Sequence, residues 1–305
     1  MDIPLIVIAG ATATGKSDIA IALADRIGGE IINADALQFY RGMDIGTAKT
    51  PPAERRGIPH HLLDVLDVTD EASVAQYQRD ARARVHEIRS RGRVPIAVGG
   101  SGLYLRALTD EIRFPPTDPA VRRRLELWAR EVGSAAAHRT LAEKDPSAAQ
   151  RIQVGDARRI VRALEVIELT GEPFTAFLPS YTYDDPWVIH TAIRRDRDDL
   201  HQRVERRVHL MAEQGLLDEV RDLIDSGITE GRTARQAIGY AQMLAHLRGD
   251  LTWAEAIDQT ITGTRRLVRK QDTWFRRDPR ITWIDAAGPD PVARIQTLVA
   301  SGSPA

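Results

Sequence analysis

Gly10-Ala11-Thr12-Ala13-Thr14-Gly15-Lys16-Ser17 sets two glycines, a lysine and a hydroxyl in the spacing G-x-x-x-x-G-K-[ST]. That pattern suits phosphate oxygens. The glycines let the backbone curl until successive N–H groups face one anion, and a following helix adds its partial positive charge. Lys16 would reach the outer phosphate, and the Ser17 hydroxyl could ligate Mg²⁺. The loop therefore implies a ligand bearing a diphosphate; it specifies neither ATP nor hydrolysis. A second chemical group is Asp35. At the carboxyl end of a strand it would face the ligand crevice of an open parallel sheet, as a general base or a metal ligand. The same position also suits a turn or a helix N-cap.

These groups need elements to hold them. Residues 5–9 are a short apolar run stopped by Gly10, the pattern of a buried parallel strand. Apolar residues at 19, 20, 23, 24 and 27 predict a helix over 17–27, ended by Gly28 and Gly29. Strands are expected at 30–34, 61–66 and 94–98, with a helix over 73–91 whose stripe is Val74, Tyr77, Ala81, Val85 and Ile88. Such alternation predicts a parallel sheet with right-handed crossovers. From 118 to about 171 only helical periodicity is visible. A strand at 187–193, helices at 199–215, 217–226 and 254–275, and a final strand at 281–284 follow, and the tail 301–305 reads as frayed. The fold class is thus α/β, a P-loop NTPase-like parallel sheet core over 1–112 and 187–305, with an all-helical insertion over 113–186.

The 305 residues suffice for about two domains. There is no cysteine, which excludes disulfide frameworks, thiolate zinc sites and cysteine nucleophiles. No apolar run approaches a membrane span and no signal peptide is read, so a cytoplasmic, membrane-free protein is expected. Net charge is −1, which does not indicate a globally basic nucleic-acid binder. Lysine occurs only at 16, 49, 144 and 270, so arginine dominates the basic residues. Codon bias accounts for that, and a guanidinium also matches phosphate bidentately. No hydrophobic strand ends in a convincing Walker-B acid, which argues against an ordinary ATPase, although a small-molecule kinase stays open on the loop alone.

The stretch Asp35-Ala36-Leu37-Gln38-Phe39-Tyr40-Arg41-Gly42-Met43-Asp44-Ile45-Gly46-Thr47-Ala48-Lys49 closely resembles the signature of tRNA dimethylallyltransferases, or tRNA isopentenyltransferases. So do Gly99-Gly100-Ser101-Gly102-Leu103-Tyr104, Arg159-Ile160-Val161-Arg162-Ala163-Leu164-Glu165, Ile238-Gly239-Tyr240 and Arg269-Lys270-Gln271-Asp272-Thr273-Trp274-Phe275-Arg276. They occur in the family's order across residues 5–285. The resemblance implies transfer of a dimethylallyl group from dimethylallyl diphosphate to N6 of adenine-37 beside the anticodon, in tRNAs reading codons that begin with U. It implies Mg²⁺ as cofactor and a monomer. Asp35 would be the catalytic base, with Lys16 and Ser101 also catalytic. Residues 10–17, Arg203 and Arg207 would hold the diphosphate. The tRNA contacts would be Asp35, Ala36, Leu37, Gln38, Ser101, Arg122, Arg158, Arg159, Ile160, Val161, Arg162, Arg235, Gly239 and Tyr240, with the insertion gripping the anticodon stem.

The sequence departs from the family at Ala11 (usually Pro), Ala36 (usually Ser), Ser101 (often Thr) and Arg158 (often Gln). Loss of the hydroxyl at 36 removes a contact to the substrate base. The arginines at 123 and 124 also read as partners of Glu126 and Glu131, Trp274-Phe275 reads as core, and the eight histidines show no metal spacing. Prenylation of free adenine nucleotides, and an RNA-binding module with a vestigial loop, are the competing functions.

Overall fold

The computed structural model describes residues 3–177 and 181–301. Pro179 and the tail beyond Ser301 lie outside the described residues. β1 (Leu5–Gly10) leads through the glycine loop into α1 (Lys16–Ile27), which Gly28 ends in a left-handed conformation. β2 (Gly29–Asn33), β3 (His60–His61), α2 (Val74–Ser90), β4 (Val94–Gly99) and α3 (Gly102–Thr109) follow. Next come α4 (Pro119–Val132), α5 (Ser134–Lys144), α6 (Pro146–Arg151) and α7 (Ala157–Thr170). The chain then returns to β5 (Val188–Arg194), α8 (Arg197–Glu213), α9 (Leu216–Asp225), α10 (Tyr240–Leu247), α11 (Trp253–Phe275), β6 (Thr282–Asp285) and α12 (Pro291–Ala300).

All six strands are parallel, in the order β3-β2-β4-β1-β5-β6. Every residue of β1 and β2 is buried, which is why β1 runs apolar without alternation, while the buried polar residues of β2, Glu30 and Asn33, are hydrogen-bonded. β1 lies between β4 and β5, and the chain leaves it towards β2 on one side before returning to β5 on the other. This is the point where an open parallel sheet forms a ligand crevice at its carboxyl edge. Ile19, Ala20, Leu23 and Ala24 of α1 press on Ile6, Ile8, Ile31 and Ile96 beneath the loop. A second cluster joins Tyr40, Met43, Val208, Val220 and Tyr240, and so fixes the segment after β2 against α8 to α10.

The chain packs as two compact units, 1–109 with 183–305, and 110–182. The second is helical, with a core of Leu125, Ala129, Leu141, Ile160 and Leu164. Its boundaries fall a few residues before those expected at 113 and 186.

The strand expected at 61–66 shrinks to His60–His61. Leu62 and Asp64 take left-handed φ values of 60° and 56°, which end the pleat. Three helices were not anticipated: α3, α10 and α12. α3 is buried on almost every side, so it shows no polar-apolar period. α12 starts on Asp290, whose side chain accepts from the Ala293 N–H, and places Pro291 at its first position.

Candidate active site

The phosphate loop is tied down from outside. Gly10 (φ 152°) and Gly15 (φ 91°) occupy backbone conformations that suit glycine. Ala13, also at positive φ (66°), costs about 1–2 kcal/mol there. Side chains hold the strained turn. Arg203 Nε donates to the Ala13 carbonyl at 2.9 Å, and Arg195 Nε to the Thr14 carbonyl at 2.9 Å. Thr14 Oγ1 donates to the Ala11 carbonyl at 2.8 Å, and the Thr12 N–H donates to Gln271 Oε1 at 2.9 Å. In a trans peptide the carbonyl and the next N–H point opposite ways, so fixing the carbonyls aims the amides.

The loop bounds a chamber of about 440 Å³ whose lining includes Lys16, Ser17, Asp35, Gln38 and Arg207. Burial pulls the Lys16 ammonium down to about 8, against the charge of Asp35 and with that of Arg207. Arg207 lies deep and its guanidinium is also lowered, by burial and then by Arg203. Arg207 Nη1 stands 3.4 Å from Thr12 Oγ1. Of the predicted arginine pair, therefore, Arg207 faces the chamber. Arg203 braces the loop through its Nε, on the Ala13 carbonyl.

Asp35 stands two residues beyond β2. Asn33 Oδ1 accepts the Asp35 N–H at 2.9 Å, while Asn33 Nδ2 donates to the carbonyls of Asp35 and Leu62, each at 3.0 Å. Asp35 Oδ1 caps a short 3₁₀ turn (Ala36–Phe39) by accepting the Leu37 N–H at 3.1 Å. The capping reading and the catalytic reading thus coexist: one oxygen orients the carboxylate and the other is left for chemistry. Gly99 explains the close fit beside it, since a Cβ there would collide with the backbone of Ala34.

Asp35 also lines a second, more apolar chamber of about 390 Å³ with Ala36, Leu37, Ser101, Gly239 and Trp274. Thr12, Asp35 and Arg207 belong to both walls. Trp274 is 38% exposed, and its indole covers Gly102 so closely that a Cβ would overlap it. It belongs to the chamber wall, contrary to the core expectation, which holds only for Phe275. Tyr240 is fully buried and donates to Glu219 Oε1 at 2.6 Å; it supports the site from beneath and offers no surface to RNA. Arg235 is exposed, with Nη1 on the Thr229 carbonyl at 3.1 Å. Sequence reasoning missed Asn33, Arg195 and Glu219, and gave Gln271 no role. No spacing rule points to Arg195, Glu219 or Gln271, because their partners lie far away along the chain, whereas Asn33 bonds Asp35 two residues on, a local turn signal.

In the helical unit, buried Glu165 accepts from Arg122 Nη2 at 2.7 Å, from Arg162 Nη1 at 2.8 Å and from the Asp118 N–H at 3.0 Å. Burial alone would raise its carboxyl, but the bonds from Arg162 and Arg122 outweigh burial and hold it below the usual range. Ile160 and Val161 sit in the core of this unit. Their assignment as RNA contacts is corrected to packing, because side chains on the inner face of α7 have no solvent to meet. Arg158 and Arg159 are exposed on its outer face, Arg159 within 3.5 Å of Asp156. Arg124 pairs with Glu168 instead of the expected Glu126 or Glu131.

Ser17, Asp18 and Asp35 present oxygen donors to the first chamber. Among the described residues no cluster of three or more histidines and carboxylates forms an all-protein metal cage. Mg²⁺ commonly takes one or two protein oxygens and completes its shell from phosphates and water, so this donor set fits it.

A glycine-turned loop at the carboxyl edge of a parallel sheet, backed by a lysine and a helix N-terminus, defines an α/β protein with a P-loop-like core. The chain belongs to the IPP transferase family, whose model matches residues 38–278. It is 53% identical over 298 residues to the tRNA dimethylallyltransferase of a Nocardioides species, covering 98% of this chain and 96% of that protein. The tRNA isopentenylpyrophosphate transferase of Bacillus halodurans superposes with a TM-score of 0.72 at 39% identity, covering 98% of this chain and 96% of that one. A eukaryotic dimethylallyltransferase acting on tRNA gives 0.83 at 27% identity, covering 97% and 79%. No helix of the described chain is long and apolar enough to cross a membrane.

Proposed function

We propose that this chain transfers a dimethylallyl group from dimethylallyl diphosphate to N6 of adenine-37 in tRNAs reading codons that begin with U, releasing pyrophosphate. The observation that carries the reading is Asp35, one carboxylate shared by a phosphate-holding chamber and an apolar one. The loop amides, Lys16 and Arg207 hold the diphosphate and stabilise the negative charge that gathers on it as the allylic C–O bond breaks. Bound Mg²⁺, held by Ser17, would add charge neutralisation of the leaving diphosphate. The exocyclic nitrogen forms the new C–N bond, and Asp35 takes the proton it loses. An aromatic amine is a weak nucleophile, so a base fixed by Asn33 and the Leu37 N–H is well matched to it.

The adenine must leave its stack to enter the second chamber, where Ala36, Leu37 and Trp274 offer apolar surface and Ser101 a hydroxyl. Arg158 and Arg159, exposed on the helical unit, supply phosphate contacts for the anticodon stem. The enzyme works as a monomer in the cytoplasm. The test is prenyl transfer with Mg²⁺ and dimethylallyl diphosphate to a tRNA with adenines at 36 and 37, compared with AMP as acceptor. Labelling of the tRNA alone is expected. Labelling of AMP at equal efficiency, or of neither, would reject the reading.

A further inference from the structure

The segment after Asp35 is held partly by its own bonds, such as Thr47 Oγ1 on the Met43 carbonyl at 2.6 Å, and partly from a distance. Residues 43–49 fold into a tight turn, with the Ala48 N–H on the Ile45 carbonyl at 3.0 Å and the Lys49 N–H on the Asp44 carbonyl at 2.9 Å. Such a turn leaves its leading N–H groups without partners inside it, as a helix start does. One distant carboxylate takes them. Glu219, in the first turn of α9, accepts the N–H groups of Asp44 (3.0 Å), Ile45 (2.7 Å) and Gly46 (3.1 Å), and the Tyr240 hydroxyl (2.6 Å). Gly46 is required here, because a Cβ would run into the Tyr240 ring. The turn in turn holds a residue of the site: Gln38 Nε2 donates to the Thr47 carbonyl at 3.1 Å. Gln38 lines the first chamber, while Thr47 lines both.

We propose that Glu219 is a positioning residue that, through the turn 44–47, fixes the carboxamide of Gln38, which the family resemblance assigns to the tRNA. The inference rests on the prenyl-transfer reading above. Nothing local could do this work. Lys49, which pairs with Asp44 and Asp64 at 2.5 Å each, ties the two ends of the turn together but, as a donor, accepts none of its amides.

The test is a double-mutant cycle on the full chain. Glu219→Ala is expected to raise the KM for tRNA about tenfold, the effect of losing hydrogen bonds to a charged group. Inorganic pyrophosphate should still bind within about twofold of wild type, since the loop at 10–17 is held by other side chains. Because the effect passes through Gln38, adding Glu219→Ala to Gln38→Ala should cost no more than about a further twofold. Glu219→Gln keeps an acceptor oxygen and should recover most of the loss.

Multiplicative losses in the double variant, or pyrophosphate binding that falls in step with the tRNA effect, would overturn the proposal. If Glu219→Ala does not fold, the same cycle run with Glu219→Asp, which withdraws the carboxylate from the turn by one methylene, decides by the same criterion. A normal KM in Glu219→Ala beside an impaired Gln38→Ala removes this proposal alone. A wild-type chain that labels no tRNA removes the underlying reading with it.

Discussion

The two chambers that meet at Asp35 are built in opposite ways. The first chamber also draws on segments at 31–38, 44–54 and 207–214, but its phosphate-loop wall is one unbroken stretch, residues 10–17, whose glycines and strained Ala13 are clamped by Arg195, Arg203 and Gln271. The apolar chamber gathers short pieces from 35–37, 46–48, 100–103, 204–211, 238–239 and 260–274. In the first, chemistry is concentrated in backbone amides and one lysine. In the second, shape comes from side chains of unrelated segments, and one carboxylate serves both. A diphosphate is recognised by charge and needs a fixed cradle. A planar base needs walls, which any part of the chain can supply.

The sharpest way to break this division is Asp35→Ala. A fall of about 10²–10⁴ in kcat is expected, the size of a general-base contribution, while pyrophosphate and tRNA affinities stay within about threefold in equilibrium binding. Loss of both affinities would show that Asp35 merely holds the walls together.

Lys16→Met comes next. It should weaken inorganic pyrophosphate by about 10² with little change in tRNA binding, because a charge-assisted contact is lost from one chamber only. Its pH behaviour sharpens the point. Burial sets the Lys16 ammonium at about 8, so below that pH it carries the charge that holds the anion. As pH rises through 8 the free protein loses that charge, and pyrophosphate affinity should fall by up to about tenfold per unit. Calorimetric titration of Lys16→Met should show this dependence gone.

Gln271 crosses the division: it accepts the Thr12 N–H of the loop and also lines the apolar chamber. Gln271→Ala should therefore cost about tenfold on both substrates together, read from steady-state KM values for each. An effect confined to one would assign Gln271 to that side alone. The smallest effect belongs to the helical unit. Arg158→Ala should weaken tRNA about two- to fivefold at low salt and reduce the salt slope by about one, with pyrophosphate untouched.

The same contrast governs what could be read from the sequence. The phosphate cup was legible because its glycines, Lys16 and Ser17 are neighbours in the chain and in space, and the strand and helix flanking it carry clear periodicity. Asp35 was legible as a strand-end acid, and its role came from resemblance to a family. The apolar chamber was not legible, since Trp274 and Leu37 look like ordinary core residues until the fold brings them to a common wall. Tyr240, Ile160 and Val161 show the converse. A motif position can be retained for packing, and only burial distinguishes that from contact with a ligand. α3 escaped notice because burial on nearly every side erases the polar stripe that marks a helix.

One consequence follows from where the loop's fasteners lie. The glycine turn is synthesised well ahead of the three side chains that clamp it, Arg195, Arg203 and Gln271, which follow their partners by 181, 190 and 259 residues. A nascent chain displays the phosphate motif long before it can hold it in shape. Competence for anion capture thus waits until Gln271 joins the fold, 259 residues after the Thr12 amide it accepts.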